Sequence, residues 1–301
     1  MKRQPIVPQP TEPLLKRLFD SGGSVPLSFE LFPPRSQVGR ATLYETVDRL
    51  ASVASNGFSV TMGAGGTTRT GSYETAVEVA RRSGRPVTAH LTALGLSCDQ
   101  VLEAAEEYWA AGVTRILALR GDRPRAPKTP TPPGFAHATD LVEALRKIHP
   151  FEIAVAAHPE KHPEAETLDA DIIHLKEKLE AGASTAFCQF VLDPAAYGRF
   201  LDRCTEHGID APIIPGLMPL EGWERLRGFA RANGTNIPNW LDQLFAEAEK
   251  TPELSAHLAT AATVEQARRL IAYGAPAIHI YTMNHWPTPL ALARLLGYAS
   301  Q

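Results

Sequence analysis

Ser28-Phe29-Glu30-Leu31-Phe32-Pro33-Pro34 reads as a short buried strand that ends on two prolines. Side chains on a strand alternate between its faces, so Glu30 points opposite to Phe29 and Leu31. A lone ionised carboxylate is costly in apolar surroundings, and a carboxyl placed this way is a natural general acid near neutral pH. A structural Glu, bonded to an Arg or to backbone, is the competing interpretation.

Outward from this strand the pattern repeats. Apolar runs and turn residues predict further strands at 58–61, 86–91, 114–119, 151–157, 185–191, 212–217 and 277–282, with the first at 25–32. Helical spacing predicts helices at 12–20, 43–54, 72–82, 97–111, 139–148, 169–181, 193–207, 221–232, 240–249, 251–273 and 289–296. Ser97 with Gln100 forms a capping box, and Asp193-Pro194 places a cap before a proline at the first helical position. Eight strands, each followed by helix, specify an α/β chain folded as a (β/α)8 TIM barrel. By this reading the segment 240–249 is an extra helix before the last βα unit, residues 1–13 are expected to be a flexible arm, and 14–301 to form one barrel domain.

The chain of 301 residues has a formal charge of -3 and no basic run, which argues against nucleic acid. Its three cysteines, Cys98, Cys188 and Cys204, are widely spaced, which points to a reducing compartment. The polar, proline-rich start lacks a signal-peptide core, and no stretch is apolar enough to span a membrane. A cytoplasmic protein is expected, and a homo-oligomer is compatible with the sequence.

In such a barrel the site lies where strands end. That filter selects Glu30, Thr61, His90, Arg120, Asp122, His158, His162, Gln189, Tyr281 and His285. Gln189 sits in Phe187-Cys188-Gln189-Phe190, where an amide needs partners that a ligand or nearby backbone would supply. Arg120-Gly121-Asp122 puts a cation, a permissive backbone and an anion in one turn, or forms a local pair that only shapes it. Gly63-Ala64-Gly65-Gly66 lacks the Lys-Ser/Thr of a phosphate loop. His158 and His162 have zinc-like spacing, but Pro159 and Pro163 oppose the helix that would align them, so no metal is expected.

The ordered set of motifs resembles the methylenetetrahydrofolate reductase family, in its bacterial single-domain form. It comprises Ser28 to Pro34, Val60-Thr61-Met62-Gly63-Ala64, His90-Leu91-Thr92, Ala118-Leu119-Arg120-Gly121-Asp122, Ala156-Ala157-His158-Pro159-Glu160, Gln189-Phe190, Pro215 to Pro219 and Tyr281-Thr282-Met283-Asn284. The resemblance implies a barrel that holds FAD, takes hydride from NADH or NADPH, and reduces a tetrahydrofolate substrate, 5,10-methylenetetrahydrofolate. By the same resemblance Glu30 is the general acid toward folate N10, and Asp122 stabilises the cationic iminium. Thr61, Ala64, His90, Arg120, Gly121, Asp122, His158, His162, Ala165, Asp171, His174 and Lys178 match cofactor positions. Gln189, Arg225, Phe229, Tyr281 and His285 match substrate positions.

Several positions depart from the family pattern. His158 and His137 stand where Tyr is usual, His174 where Asn is, and Glu177 where Arg is. On the substrate side, His285 stands for an Arg and Arg225 for a Gln. These departures keep open direct hydride transfer from NADH without flavin; a non-catalytic folate-binding partner on the same scaffold is a further alternative, against which the presence of both Glu30 and Asp122 argues.

Overall fold

The computed structural model describes residues 25–62, 69–121, 134–248 and 250–298, without the Pro252 side chain. The arm 1–13 and the predicted helix at 12–20 lie outside these residues. In chain order the elements begin β1 (Leu27–Leu31), α1 (Gln37–Leu50), β2 (Phe58–Val60), α2 (Arg69–Ser83), β3 (Val87–Thr92) and α3 (Cys98–Ala110). They continue with β4 (Arg115–Leu119), α4 (Ala138–Ile148), β5 (Glu152–Ala157), α5 (Leu168–Glu180), β6 (Thr185–Phe190) and α6 (Pro194–Glu206). Then come β7 (Ile213–Leu217), α7 (Trp223–Ala232), α8 (Asn239–Ala248), a single 3-10 turn (Pro252–Leu254), α9 (Ser255–Ala272), β8 (Ile278–Tyr281) and α10 (Pro287–Leu295).

All eight strands pair in parallel with their sequence neighbours, and β1 pairs with β8 to close a (β/α)8 barrel. The outward faces of the strands are apolar. Phe29 and Leu31 are fully buried in the main core beneath the helices. The alternate residues point inward, where Leu117, Ala154, Phe187, Ile214 and Ala277 form a separate plug. Among the described residues no helix is long and apolar enough to cross a membrane.

Local chemistry sets the helix starts. Ser97 Oγ accepts from Gln100 N while Gln100 Oε1 accepts from Ser97 N, completing the capping box. Asp193 Oδ1 accepts from Ala195 N, with Pro194 at the first helical position. α1 starts six residues before the predicted Leu43, on Ser36, whose Oγ accepts from Gly39 N. Its first six residues carry no buried side chain, so they have no apolar period to read. Thr251-Pro252 opens the 3-10 turn rather than α9, whose N-cap is Leu254.

The helices inserted between β7 and β8 have their own core. Trp223 of α7 stacks on Phe245 of α8 at 4.7 Å, and Leu226, Ala230, Leu241 and Ala259 join them. Phe190, Met218 and Leu220 anchor that cluster to the ends of β6 and β7. This packing fixes α7 over the mouth of the barrel.

Candidate active site

Glu30 points into the barrel and meets two imidazoles. Its Oε2 lies 3.6 Å from His90 Nε2 on β3 and 3.5 Å from His279 Nε2 on β8. The apolar residues beside Glu30 in sequence face the other way, and imidazoles from two other strands stand beside its carboxyl instead. Ser28 Oγ and His279 Nδ1 are 2.8 Å apart, Ser59 Oγ lies 3.4 Å from His279 Nε2, and Phe187 stacks on the His279 ring at 4.7 Å. His279 is thereby held in orientation from both nitrogens and one face. His90 Nε2 is buried and has no hydrogen-bond partner. Burial pushes His90 down to about 4, outweighing the opposing effect of Glu30, so this imidazole is neutral at pH 7. A neutral imidazole with an unpartnered nitrogen beside a carboxyl is ready for a ligand.

A cavity of about 940 Å³ opens above these groups. Thr61, His158, Gln189, Arg225, Phe229, Tyr281 and His285 line it with Glu30 and His90. Gln189 sits at an irregularity in the β6–β7 pairing between Phe187 and Phe190, and bulges of this kind re-aim side chains. Its Oε1 accepts from Phe190 N, which leaves the amide NH2 toward the cavity. The backbone partner and the ligand-facing donor therefore coexist on one side chain.

Tyr281 donates to Cys188 O at 3.1 Å across Gly216, where a Cβ would meet the tyrosine ring at 2.5 Å. Phe229, half exposed, stacks on Phe190 at 5.4 Å and offers its ring to the cavity. At the rim His285 Nδ1 lies 3.4 Å from Glu221 Oε2, and Thr288 donates to the other Glu221 oxygen. Glu221 thus already gives His285 a carboxylate partner within the protein. Arg225 has no acceptor among the described residues.

A second cavity of about 630 Å³ adjoins the first, with Met62, Leu119, Ala156, His158 and Gln189 common to both. Arg120, Gly121, His162, Ala165, Asp171, His174 and Lys178 line it. Gly121 has φ +93, and a Cβ there would meet Thr92 Cγ2 at 2.4 Å, so only glycine lets this turn form the wall. Arg120 pairs with Glu164 at 2.7 Å, and Lys178 donates to Ala156 O at 2.6 Å. Burial lowers Lys178 to about 8, with Asp171 opposing.

Asp171 Oδ2 accepts from His162 N and lies 3.8 Å from His158 Nδ1. Burial pushes His158 down to about 4 against the pull of Asp171. His162 Nδ1 accepts from Glu164 N, which leaves the proton of the neutral ring on Nε2. His174 pairs with Glu177 at 3.1 Å.

Among the described residues the structure therefore brings the expected positions together in two joined cavities; Ala64 and Asp122 are not among the described residues. His279, Glu221 and Glu164 were not singled out from sequence. The available signal for His279 is its spacing of two from Tyr281, which puts both on the inner face of β8. The extended, two-part cleft and its donors suit a dinucleotide cofactor in shape. Among the described residues its charge is less favourable, with Arg120 and Lys178 set against Asp140, Glu164, Asp171 and Glu177.

Residues 15–297 match the family model for methylenetetrahydrofolate reductase. The 5,10-methylenetetrahydrofolate reductase of Pectobacterium carotovorum subsp. carotovorum is 36% identical over 286 residues, 95% of this chain and 95% of its own. That of Escherichia coli (strain K12) is 35% identical over 284 residues, 94% of this chain and 95% of its own. Among solved structures, an uncharacterized protein from Clostridium thermocellum that binds two copies of 5-methyl-5,6,7,8-tetrahydrofolic acid superimposes with a TM-score of 0.62 at 16% identity, covering 93% of this chain and 98% of that one. This last likeness speaks for the fold alone. The match along nearly the whole barrel, with the strand-end residues gathered over one carboxyl, shows that the chain belongs to the methylenetetrahydrofolate reductase family of enzymes.

Proposed function

We propose that the chain reduces 5,10-methylenetetrahydrofolate to 5-methyltetrahydrofolate, with NADH or NADPH as the hydride source and FAD as the intermediate carrier. The observation that carries this reading is the single carboxyl of Glu30 between two imidazoles at the floor of a cavity. FAD, where bound, would carry the hydride between nicotinamide and the one-carbon unit.

The chain's own part is proton handling and placement. Glu30 gives its proton to folate N10 as the N10–methylene bond breaks. That opens the five-membered ring to an N5 iminium, and hydride then adds to the methylene carbon. The neutral His90 places no competing positive charge beside the forming cation. Gln189 offers its NH2 to the pterin, and Phe229 stacks on the ring system or its linker. Arg225 meets the anionic tail. Asp122 is assigned to the iminium by its place in the family motif. In the second cavity Arg120, Gly121, His162 and Lys178 would hold the dinucleotide.

The excess of carboxylates among the described residues there favours a second reading, in which hydride passes directly from the nicotinamide to the folate. A visible spectrum of the purified protein, with turnover measured before and after added FAD, separates the two. Flavin bands, or activity that depends on FAD, support the first reading. A colourless protein with full activity supports the second. A protein that makes no 5-methyltetrahydrofolate under either condition refutes both.

A further inference from the structure

β1 and β8 pair in register from Leu27 opposite Ile278 to Glu30 opposite Tyr281. A regular ladder would next place Thr282 opposite Leu31. Instead the chain turns through two left-handed residues, Met283 at φ 53 and Asn284 at φ 56. Neither is glycine, and the conformation is unfavourable for both, more so for Met. The Asn284 carboxamide then takes over as the missing rung. Its Oδ1 accepts from Phe32 N at 3.0 Å and its Nδ2 donates to Phe32 O at 2.9 Å.

Thr282 completes the arrangement: its Oγ1 donates to Glu30 O at 2.7 Å and accepts from Asn284 N at 3.0 Å. Buried Thr46 holds the Asn284 carbonyl from α1 at 2.8 Å. The exit of β1, from Glu30 to Phe32, is thus gripped by two of three consecutive residues of another segment, Thr282 and Asn284. The middle one, Met283, is half exposed and lines the cavity.

We infer that Thr282 and Asn284 are positioning residues for Glu30. Their bonds to its carbonyl and to Phe32 fix where the acid stands relative to the substrate, and the backbone strain at Met283 and Asn284 is maintained for that purpose. This rests on the assignment of Glu30 as the general acid. No contact of Asn284 with a ligand is required. Both bonds are only part-buried, so water can take the place of the carboxamide at the Phe32 backbone if it is lost. Removing the carboxamide should therefore loosen the acid while the barrel still folds.

Asn284→Gly makes the test clean. Glycine adopts the left-handed backbone without strain, keeps the carbonyl for Thr46, and removes only the two bonds to Phe32. The expected result is a folded protein with affinity for 5-methyltetrahydrofolate near that of the wild type and a kcat for folate reduction lowered on the order of tenfold to a hundredfold. In a Glu30→Gln background the same change should cost little more, because the group it positions is already gone. Asn284→Gly with unchanged kcat, or with a loss that is undiminished in the Glu30→Gln background, overturns the inference. Glu30→Gln without a large loss of its own overturns the acid assignment instead, so the two failures are told apart.

Discussion

In the cavity over Glu30, the nitrogen of His90, the guanidinium of Arg225 and the NH2 of Gln189 make no hydrogen bond to protein among the described residues. In the adjoining cavity Arg120, Lys178, Asp171 and His174 all bond to neighbouring protein groups. The two are built on the same ring of strand ends, yet the first keeps three polar groups without a protein hydrogen bond while these four of the second are bonded. Unmet polar groups near a cavity floor mark where a ligand completes the structure. A cavity whose polar groups are already bonded within the protein has less to offer a dinucleotide cofactor, and it should hold its shape when empty.

Acidification should disturb both cavities, and it is the largest effect expected. His90 and His158 each lie at about 4 in the folded chain, below the ordinary imidazole value of about 6.5. A depressed folded value means the unfolded chain takes up the proton first. The stability is therefore full above about 6.5 and is lost as pH falls toward 4. The upper limit is roughly 3 kcal/mol for each histidine. Urea unfolding at pH 7.5 and pH 5 measures it, and His90→Gln should flatten the profile. Equal stability at the two pH values would mean that neither ring is held neutral by burial.

Gly121→Ala tests the wall of the second cavity. With φ +93 and Thr92 Cγ2 in the way, the variant should lose about 1–3 kcal/mol of stability. Folate affinity should stay near the wild-type value if the two cavities are independent. A matching loss of folate binding would show that they are not.

Arg225→Ala should weaken binding of 5-methyltetrahydrofolate by about tenfold, as expected for an exposed cation meeting a carboxylate. Removal of the tail glutamate from the ligand should abolish the difference. The smallest effect is expected from His285→Arg. Glu221 is already at this position, so the new guanidinium pairs with it and the gain should stay below about threefold. A larger gain would place the folate tail on residue 285 rather than on Arg225.

Much of this was legible in the sequence where the determinants are local. The capping box at Ser97, the Asp193-Pro194 start and the polar residues ending apolar strands each announce themselves within a few positions. His279 did not, because a single histidine between Ile278 and Ile280 reads as core. Only barrel closure brings it to Glu30, 249 residues away, through the β1–β8 pairing. The setting of Glu30 was misjudged for a related reason: its sequence neighbours are apolar, but its spatial neighbours come from β3 and β8. The start of α1 was hidden because its first residues are exposed and carry no period. The pairing of His285 with Glu221 joins two loops that no sequence spacing connects.

The central claim is that the carboxyl of Glu30 delivers the proton that permits folate reduction. Glu30→Gln keeps the shape of the side chain and removes the acid. The rate of 5-methyltetrahydrofolate formation, measured beside equilibrium affinity for the same compound, tests the claim most directly. The rate should fall by about a hundredfold to ten-thousandfold, with affinity within a few fold of the wild type. A rate near that of the wild type, or a loss fully explained by weaker binding, would contradict it.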